Sequence, residues 1–395
     1  MLIGLVGKPS SGKSTFFQAL TSVPVQRAPY PFTTIKPNHG VAYVEVSCPE
    51  KELNVKCKPK TGYCIDARRF VPVEVLDVAG LVPGAHEGKG LGNKFLDDLR
   101  QADVLIHIVD ISGSTNEVGE PVESGSHDPA DDVVFLEDEL NHWILGIVEE
   151  NWDKFVRENK QGKKPEEIFS EQFSGLGISG EVIQKTLKEL NLKEKRLEEW
   201  SEEEKFKFSR IVREKGKQII IAANKCDLPN GPENFKKLKE KFPEKSIVAC
   251  SAEAEITLKE AAKNKFIDYV PGDPKFNIVK DLNEQQMKAM RLLEKVIVEF
   301  KGTGVQKALS FAVFDFLKYI AVFPVATSKL SDTKGNILPD CFLMKPESTA
   351  HDLAKQVHSQ MADKFIKAID MKTKKVLGAD YILKTGDVLE IVFGK

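Results

Sequence analysis

Apolar residues fall along this chain in two rhythms. Short, nearly unbroken runs rich in Val, Ile, Leu and Ala occupy 2–6, 41–46, 70–76, 104–109, 218–223 and 246–249. Runs of that kind are what buried strands require, and turn-forming residues bound each one. Elsewhere the apolar positions spread to helical spacing, across 133–156, across 181–215 with dense mixed charge, and across 276–300. In the last of these Leu282, Met287, Met290, Leu293, Val296, Ile297 and Phe300 recur with the helical period. Strands alternating with helices predict an α/β fold on a mostly parallel sheet. The stretch 112–216 breaks the alternation and reads as a mostly helical insertion, which leaves 1–111 and 217–275 as the sheet-bearing domain. A connecting helix occupies 276–304 and is stopped by Gly302-Thr303-Gly304. In 305–395, Tyr319–Val325 reads as a strand, Thr349–Phe365 as an amphipathic helix and Leu389–Phe393 as a final strand, so a small α+β domain closes the chain.

Composition narrows the partners. The chain has 395 residues, 41% hydrophobic and 29% charged, with a formal net charge of −2. That balance is ordinary for a globular protein with room for two or three cores, and it supplies no global basic field for nucleic acid. The most apolar long segment, 308–327, is interrupted by Asp315 and Lys318. Charge there is costly in a bilayer, so no membrane span is expected. Met1 leads directly into a strand without a basic leader, and the expected location is the cytoplasm. Six cysteines make no disulfide scaffold. Cys48, Cys57 and Cys64 fall close together, but none forms a C-x-x-C pair and no fourth ligand stands out. Reduced, half-buried thiols are the expectation, with a metal clip as the alternative.

The chemistry begins at the first strand. Gly7-Lys8-Pro9-Ser10-Ser11-Gly12-Lys13-Ser14 fits the G-x-x-x-x-G-K-S phosphate loop, between an apolar strand and a helix that opens on Thr15. Gly7 and Gly12 let the backbone N–H groups curl around phosphate oxygens, and the helix N-terminus adds its dipole. Lys13 is placed to reach the β- and γ-phosphates, and the Ser14 hydroxyl to ligate Mg²⁺. After the strand 70–76 comes Asp77-Val78-Ala79-Gly80, an acid for the Mg²⁺ shell followed by an N–H for the γ-phosphate. The Gly-rich run 83–93 has the backbone freedom of a loop that responds to a nucleotide. Asn224-Lys225-Cys226-Asp227 follows another apolar run. A carboxylate at Asp227 can accept from guanine N1–H and N2–H₂, a donor pair that adenine lacks. Ser251-Ala252, at the end of the next strand, can offer N–H groups to guanine O6. Together these residues predict a site for GTP and GDP with Mg²⁺.

With Tyr30-Pro31-Phe32-Thr33-Thr34, and with Asp77 to Val82 leading into the glycines through Gly92-Asn93, the chain resembles the Obg family of P-loop GTPases over nearly its whole length. The helical insertion is most similar to the YchF-type branch, especially its archaeal members. That resemblance implies that Thr34, or else Thr33, closes on Mg²⁺ when the γ-phosphate is present. It also implies a β-grasp TGS domain, carried by Val322-Phe323-Pro324 and by 386–392, and through it and the insertion a ribosome or RNA partner. Ser10 stands where family members often carry the Asn linked to potassium-stimulated hydrolysis, which removes the family's ground for K⁺ dependence. Some YchF-type proteins have lost N-K-x-D and prefer ATP, whereas Asn224, Lys225 and Asp227 are all present here. Leu81 occupies the position at which Ras-like enzymes place the water-orienting Gln, so slow GTPase turnover is expected. His86 is the nearest polar substitute, with a surface or structural histidine as the other reading. Lys13, Thr34, Gly80 and His86 are the candidate catalytic groups. An ATPase of the same family and a nucleotide-dependent binding module with negligible turnover are the alternative functions.

Overall fold

A computed structural model of the chain describes residues 1–24, 38–78, 80, 98–332 and 334–394. In it the strands are β1 (Leu2–Val6), β2 (His39–Ser47), β3 (Tyr63–Ile65), β4 (Arg68–Asp77), β5 (Val104–Asp110), β6 (Ile219–Asn224) and β7 (Ile247–Ala249) in the N-terminal sheet. Their order is β2-β4-β1-β5-β6-β7, with β3 also paired to β4. The pairs β4–β1, β1–β5, β5–β6 and β6–β7 are parallel, and β2 and β3 run antiparallel to β4. The mostly parallel sheet expected from the apolar runs is therefore present, and β3 is an addition. Because β1 lies in the middle, the chain leaves β1, β4, β5, β6 and β7 at one edge of the sheet, where open α/β folds place ligands.

Helices cover both faces. On one, Leu2, Val6, Leu76 and Leu105 share a core with Leu136, Leu140, Trp143 and Ile144 of the helix Pro129–Glu150. Further out in the same core, Phe169 meets Phe155, Phe173, Trp200 and Phe208. The helices Trp152–Lys160, Pro165–Ser174 and Glu202–Gly216 supply the phenylalanines and the turn after Leu197–Glu199 supplies Trp200, while Gly180–Glu189 adds Ile183 and Leu187, so the stretch read as an insertion has a core of its own that is continuous with the sheet. Its first part differs from the rest, since 112–128 is irregular and the first helix starts at Pro129 behind an Asp128 cap.

The opposite face is covered by α1 (Lys13–Thr21), by the helix Ala252–Lys263 and by Val305–Ser310, which continues as a π-helical turn over Phe311–Phe316. Ile3, Leu5, Phe16, Ile106, Ile108, Ile256, Leu309 and Val313 form one buried cluster there. Strands β8 (Ile267–Asp268) and β9 (Asn277–Ile278) make a short antiparallel ribbon. The connecting helix starts at Glu284, later than its apolar spacing suggests, because Asn283 and Gln286 close a capping box at that point.

The last sheet holds β10 (Ile320–Val325), β11 (Phe342–Met344), β12 (Phe365–Asp370), β13 (Val376–Leu377) and β14 (Val388–Phe393) in the order β11-β10-β14-β12-β13. Only β10 and β14 are parallel. The single helix expected over 349–365 is two, Ala350–Val357 and Ser359–Asp363, because His358 adopts extended angles (φ −166°, ψ 133°). Phe365 already belongs to β12, so an apolar spacing that looked helical carries across a helix end into a strand. No helix among the described residues is long and apolar enough to cross a membrane.

Candidate nucleotide-binding site

The phosphate loop leaves β1 and winds into α1 through two backbone conformations that side chains oppose. Gly12 is left-handed (φ 91°) and stands where α1 begins, and a Cβ there would lie 2.3 Å from Asn224 Nδ2. At Gly7 a Cβ would lie 2.6 Å from the carbonyl oxygen of Ile108. The first turn of α1 leaves its N–H groups without helical partners, as every helix start does, and they line the loop. Ser11 Oγ is fully buried in the same loop with no hydrogen-bond partner among the described residues. A cradle of glycines, free N–H groups and an orphaned hydroxyl is chemically suited to an oxyanion.

Lys13 and Asp77 are drawn together at the end of the loop, with Lys13 Nζ 2.6 Å from Asp77 Oδ1. Ser14 Oγ is 3.4 Å from Asp77 Oδ2. A hydroxyl and a carboxylate converging beside a phosphate cradle form a hard-oxygen donor set of the kind Mg²⁺ takes. Ser14 and Asp77 therefore fit the ion. Gly80 is exposed, and a Cβ on it would come within 3.3 Å of the Pro9 ring. Thr33, Thr34, Leu81 and His86, with the whole of the Gly-rich run 83–93, lie outside the described residues.

The base-side loop is bonded directly onto the phosphate loop. Asn224 Nδ2 donates to Ser11 O at 3.2 Å, while Asn224 Oδ1 accepts from Ala252 N–H at 3.1 Å. Lys225 Nζ donates to Ser10 O at 2.9 Å and pairs with Asp110 Oδ2 at 2.9 Å. One asparagine and one lysine thus join three strand-end loops. Asp227 is exposed beside them, while Ser251 is buried and caps the helix Ala252–Lys263 by accepting from Ala254 N–H.

Contacts that the sequence did not reveal complete this frame. Asp110, fully buried at the end of β5, accepts from the Ser112, Ser114 and Thr115 hydroxyls as well as from Lys225. Burial alone would raise its pKa, but the hydrogen bonds from Ser112, Lys225 and Ser114 outweigh it and hold the carboxyl below its ordinary value. The signal was available in the sequence: an acid ending an apolar run, followed by three hydroxyl residues within five positions. Lys8 is buried and pairs with Asp132 at 2.8 Å while donating to Thr115 O. Burial raises the Asp132 pKa, against the opposing pull of Lys8 and His127. The irregular stretch 112–128 packs over the loop, with Gly119 so close to Pro9 that a Cβ would lie 2.5 Å from its carbonyl oxygen. Asn230 Nδ2 in turn donates to Ser124 O at 3.1 Å.

Asp110 has a measurable consequence. Its depressed pKa contributes stability that is complete above the unfolded carboxyl value, near ~3.9, and is lost as pH falls through the lower folded value. Asp110→Asn is expected to cost about 3 kcal/mol at neutral pH, because Lys225 loses its counter-charge and the hydroxyls lose a carboxylate acceptor. Denaturant midpoints measured from neutral to acid pH should converge for the two proteins as the wild-type carboxyl protonates. A constant gap down to the acid limit would remove this role.

The comparisons with known proteins agree with the geometry. Residues 2–141 match the family model of 50S ribosome-binding GTPases, 222–327 the Obg-like GTPase YGR210-like, G4 motif-containing domain, and 333–393 the TGS domain. An uncharacterised GTP-binding protein of Methanocaldococcus jannaschii is 47% identical over 99% of this chain and 98% of its own. The crystal structure of a GTP-binding protein from Pyrococcus horikoshii covers both chains completely, at 37% identity and a TM-score of 0.78. The ribosome-binding ATPase YchF of Bacillus subtilis is 27% identical over 99% of this chain and 98% of its own.

Proposed function

The chain belongs to the YchF-type branch of the Obg-like P-loop GTPases, with a C-terminal TGS domain, and from that membership we propose that it binds GTP in preference to ATP, hydrolyses it slowly and signals its nucleotide state to a ribosomal partner in the cytoplasm. The observation that carries this reading is the clamp of Asn224 and Lys225 on the phosphate loop, with Asp227 exposed at its outer edge. It supports the reading by tying the loop that carries Asp227 to the phosphate cradle.

In this reading the N–H groups of 7–15 and Lys13 hold the triphosphate, Asp227 accepts from the guanine ring, and Ser251 and Ala252 border it. Ser14 and Asp77 would hold Mg²⁺, which neutralises charge on the β- and γ-phosphate oxygens when bound. Lys13 gives up its contact with Asp77 for the phosphates, leaving the Asp77 carboxylate for the metal's shell. Water attacks the γ-phosphorus as the bond to the β–γ bridging oxygen breaks, and Lys13 stabilises the charge gathering on that oxygen. Thr34, or else Thr33, is assigned to the Mg²⁺ shell when the γ-phosphate is present and Gly80 to the γ-phosphate itself, and His86 is the candidate for positioning the water, with a surface or structural histidine as the other reading. Turnover is slow because Leu81 cannot hydrogen-bond that water.

A second reading, an ATPase, draws on the Bacillus subtilis relative, whose name gives both ATP hydrolysis and ribosome binding. Competition between GTP and ATP for the purified chain separates the two, and guanine is expected to win by at least about a hundredfold, as the loss of two hydrogen bonds to a charged group implies. Ribosomal subunits should cosediment the protein when it carries a non-hydrolysable GTP analogue and release it with GDP. Equal affinity for both purines would remove the base assignment, and sedimentation indifferent to nucleotide would remove the ribosomal one.

A further inference from the structure

Far from the phosphate loop, the excursion between β2 and β4 folds back on itself. Asp66 and Ala67 are both left-handed (φ 51° and 63°) and close a two-residue hairpin between β3 and β4. Gly62, also left-handed, passes so near Phe70 that a Cβ would lie 2.0 Å from its carbonyl oxygen. These turns return Cys64 to the place where Cys48 and Cys57 already stand. The three sulfurs and a carboxylate oxygen of Glu50 all lie within 4.8 Å of one another. Cys48, Glu50 and Cys57 are buried and Cys64 is half-buried.

We propose that Cys48, Glu50, Cys57 and Cys64 form a structural site for one tetrahedral zinc ion. Tetrahedral zinc bonded to sulfur at about 2.3 Å sets neighbouring sulfurs about 3.8 Å apart, so the cluster needs to contract by no more than about an ångström. Its span suits a single ion. Glu50 is the ligand that the cysteine spacing did not reveal. It is 5% exposed, accepts one hydrogen bond, from Cys57 N–H at 2.9 Å, and pairs with no Lys or Arg among the described residues. A buried carboxylate so placed requires a cation. Three thiolates and a carboxylate around Zn²⁺ leave a net negative charge, and a buried cation stands beside them. Arg69 faces Cys64 across the β3–β4 pair, is fully buried, and among the described residues donates only to the carbonyls of Leu338 and Pro339, with Nε unpartnered.

The site underlies the joint with the C-terminal module. Lys58 N–H donates to Ile337 O at 2.8 Å and Lys60 N–H to Pro339 O at 2.9 Å, while Lys60 Nζ pairs with Asp332 at 2.7 Å. Zinc would therefore fix a loop whose backbone is the docking edge for 332–340.

The test is elemental analysis of the untagged full-length chain after gel filtration, followed by exchange of the bound metal for Co²⁺. One zinc per chain is expected, with thiolate-to-cobalt charge-transfer absorption after exchange. Cys57→Ser should lose the metal and that absorption, and Glu50→Gln should bind Co²⁺ more weakly while both still bind GDP. Stripping the metal from the wild type should speed amide exchange at Lys58 and Lys60 and leave the phosphate loop unchanged. A reduced, metal-free chain that takes up no added Zn²⁺ would overturn the proposal. So would a native mass lighter by the two hydrogens of a disulfide, or a zinc content indifferent to both substitutions.

Discussion

Lys13→Ala is expected to weaken GDP and GTP binding by about 10²–10³-fold and to abolish turnover, because the ammonium assigned to the β- and γ-phosphates is then missing from both bound and transition states. The same substitution has a smaller effect on the nucleotide-free fold. Lys13 and Asp77 are both partly exposed there, at 12% and 19%, so their ion pair is weakened by solvent. Thermal unfolding separates the two effects. With GDP at about a hundred times its Kd, the wild type should gain about 2.7 kcal/mol, seen as a rise in Tm, and the variant should gain almost nothing at the same concentration. A variant that unfolds early without nucleotide but is still stabilised fully by GDP would show that Lys13 serves the fold and not the ligand.

Asp227→Asn tests the other end of the nucleotide. Guanine offers N1–H and N2–H₂ to a carboxylate, and each hydrogen bond to a charged acceptor is strong, so losing the carboxylate should cost about 10²–10⁴-fold in GTP affinity. The side chain is exposed and the substitution nearly isosteric, so the protein should fold as before. Xanthine carries a carbonyl where guanine carries its amino group, and the new amide can donate to it. D227N should therefore regain nanomolar-to-micromolar affinity for xanthosine diphosphate that the wild type lacks. Isothermal titration with the two diphosphates measures both changes at once. If D227N binds GDP as tightly as the wild type does, the carboxylate does not read the base.

Both residues were visible in the sequence, because a strand followed by a phosphate loop or by N-K-x-D has a fixed local geometry. The parallel sheet was visible for a similar reason: β1, β5 and β6 are nearly continuous apolar runs, with only His107 inside β5 to break them. What escaped depends on long-range placement. Lys8 looked like a variable position of the loop, and only the fold brings Asp132 to it. The stretch 112–128 read as the start of an insertion, yet Gly119 and Ser124 place it against Pro9 and Asn230, within the site itself. Glu50 could not be joined to the three cysteines from spacing, since β3 is three residues long and its pairing to β4 decides where Cys64 lies. In the C-terminal module, β11 and β13 are too short to show an alternation, and the half-apolar run into Phe365 concealed a helix end.

Ser251 N–H donates to Thr303 O at 2.9 Å, and a Cβ on Gly304, one residue further, would lie 1.8 Å from Ala249 O. The turn proposed to border the purine is thus stitched to the root of the segment leading into the final module. The close approach at Gly304 leaves no room there for any side chain. Any displacement of the turn 251–252 would pull on Thr303 directly, through that one backbone hydrogen bond. The root of the final quarter of the chain is thereby held at the strand end beside Asn224, by backbone contacts that do not pass through the phosphate loop.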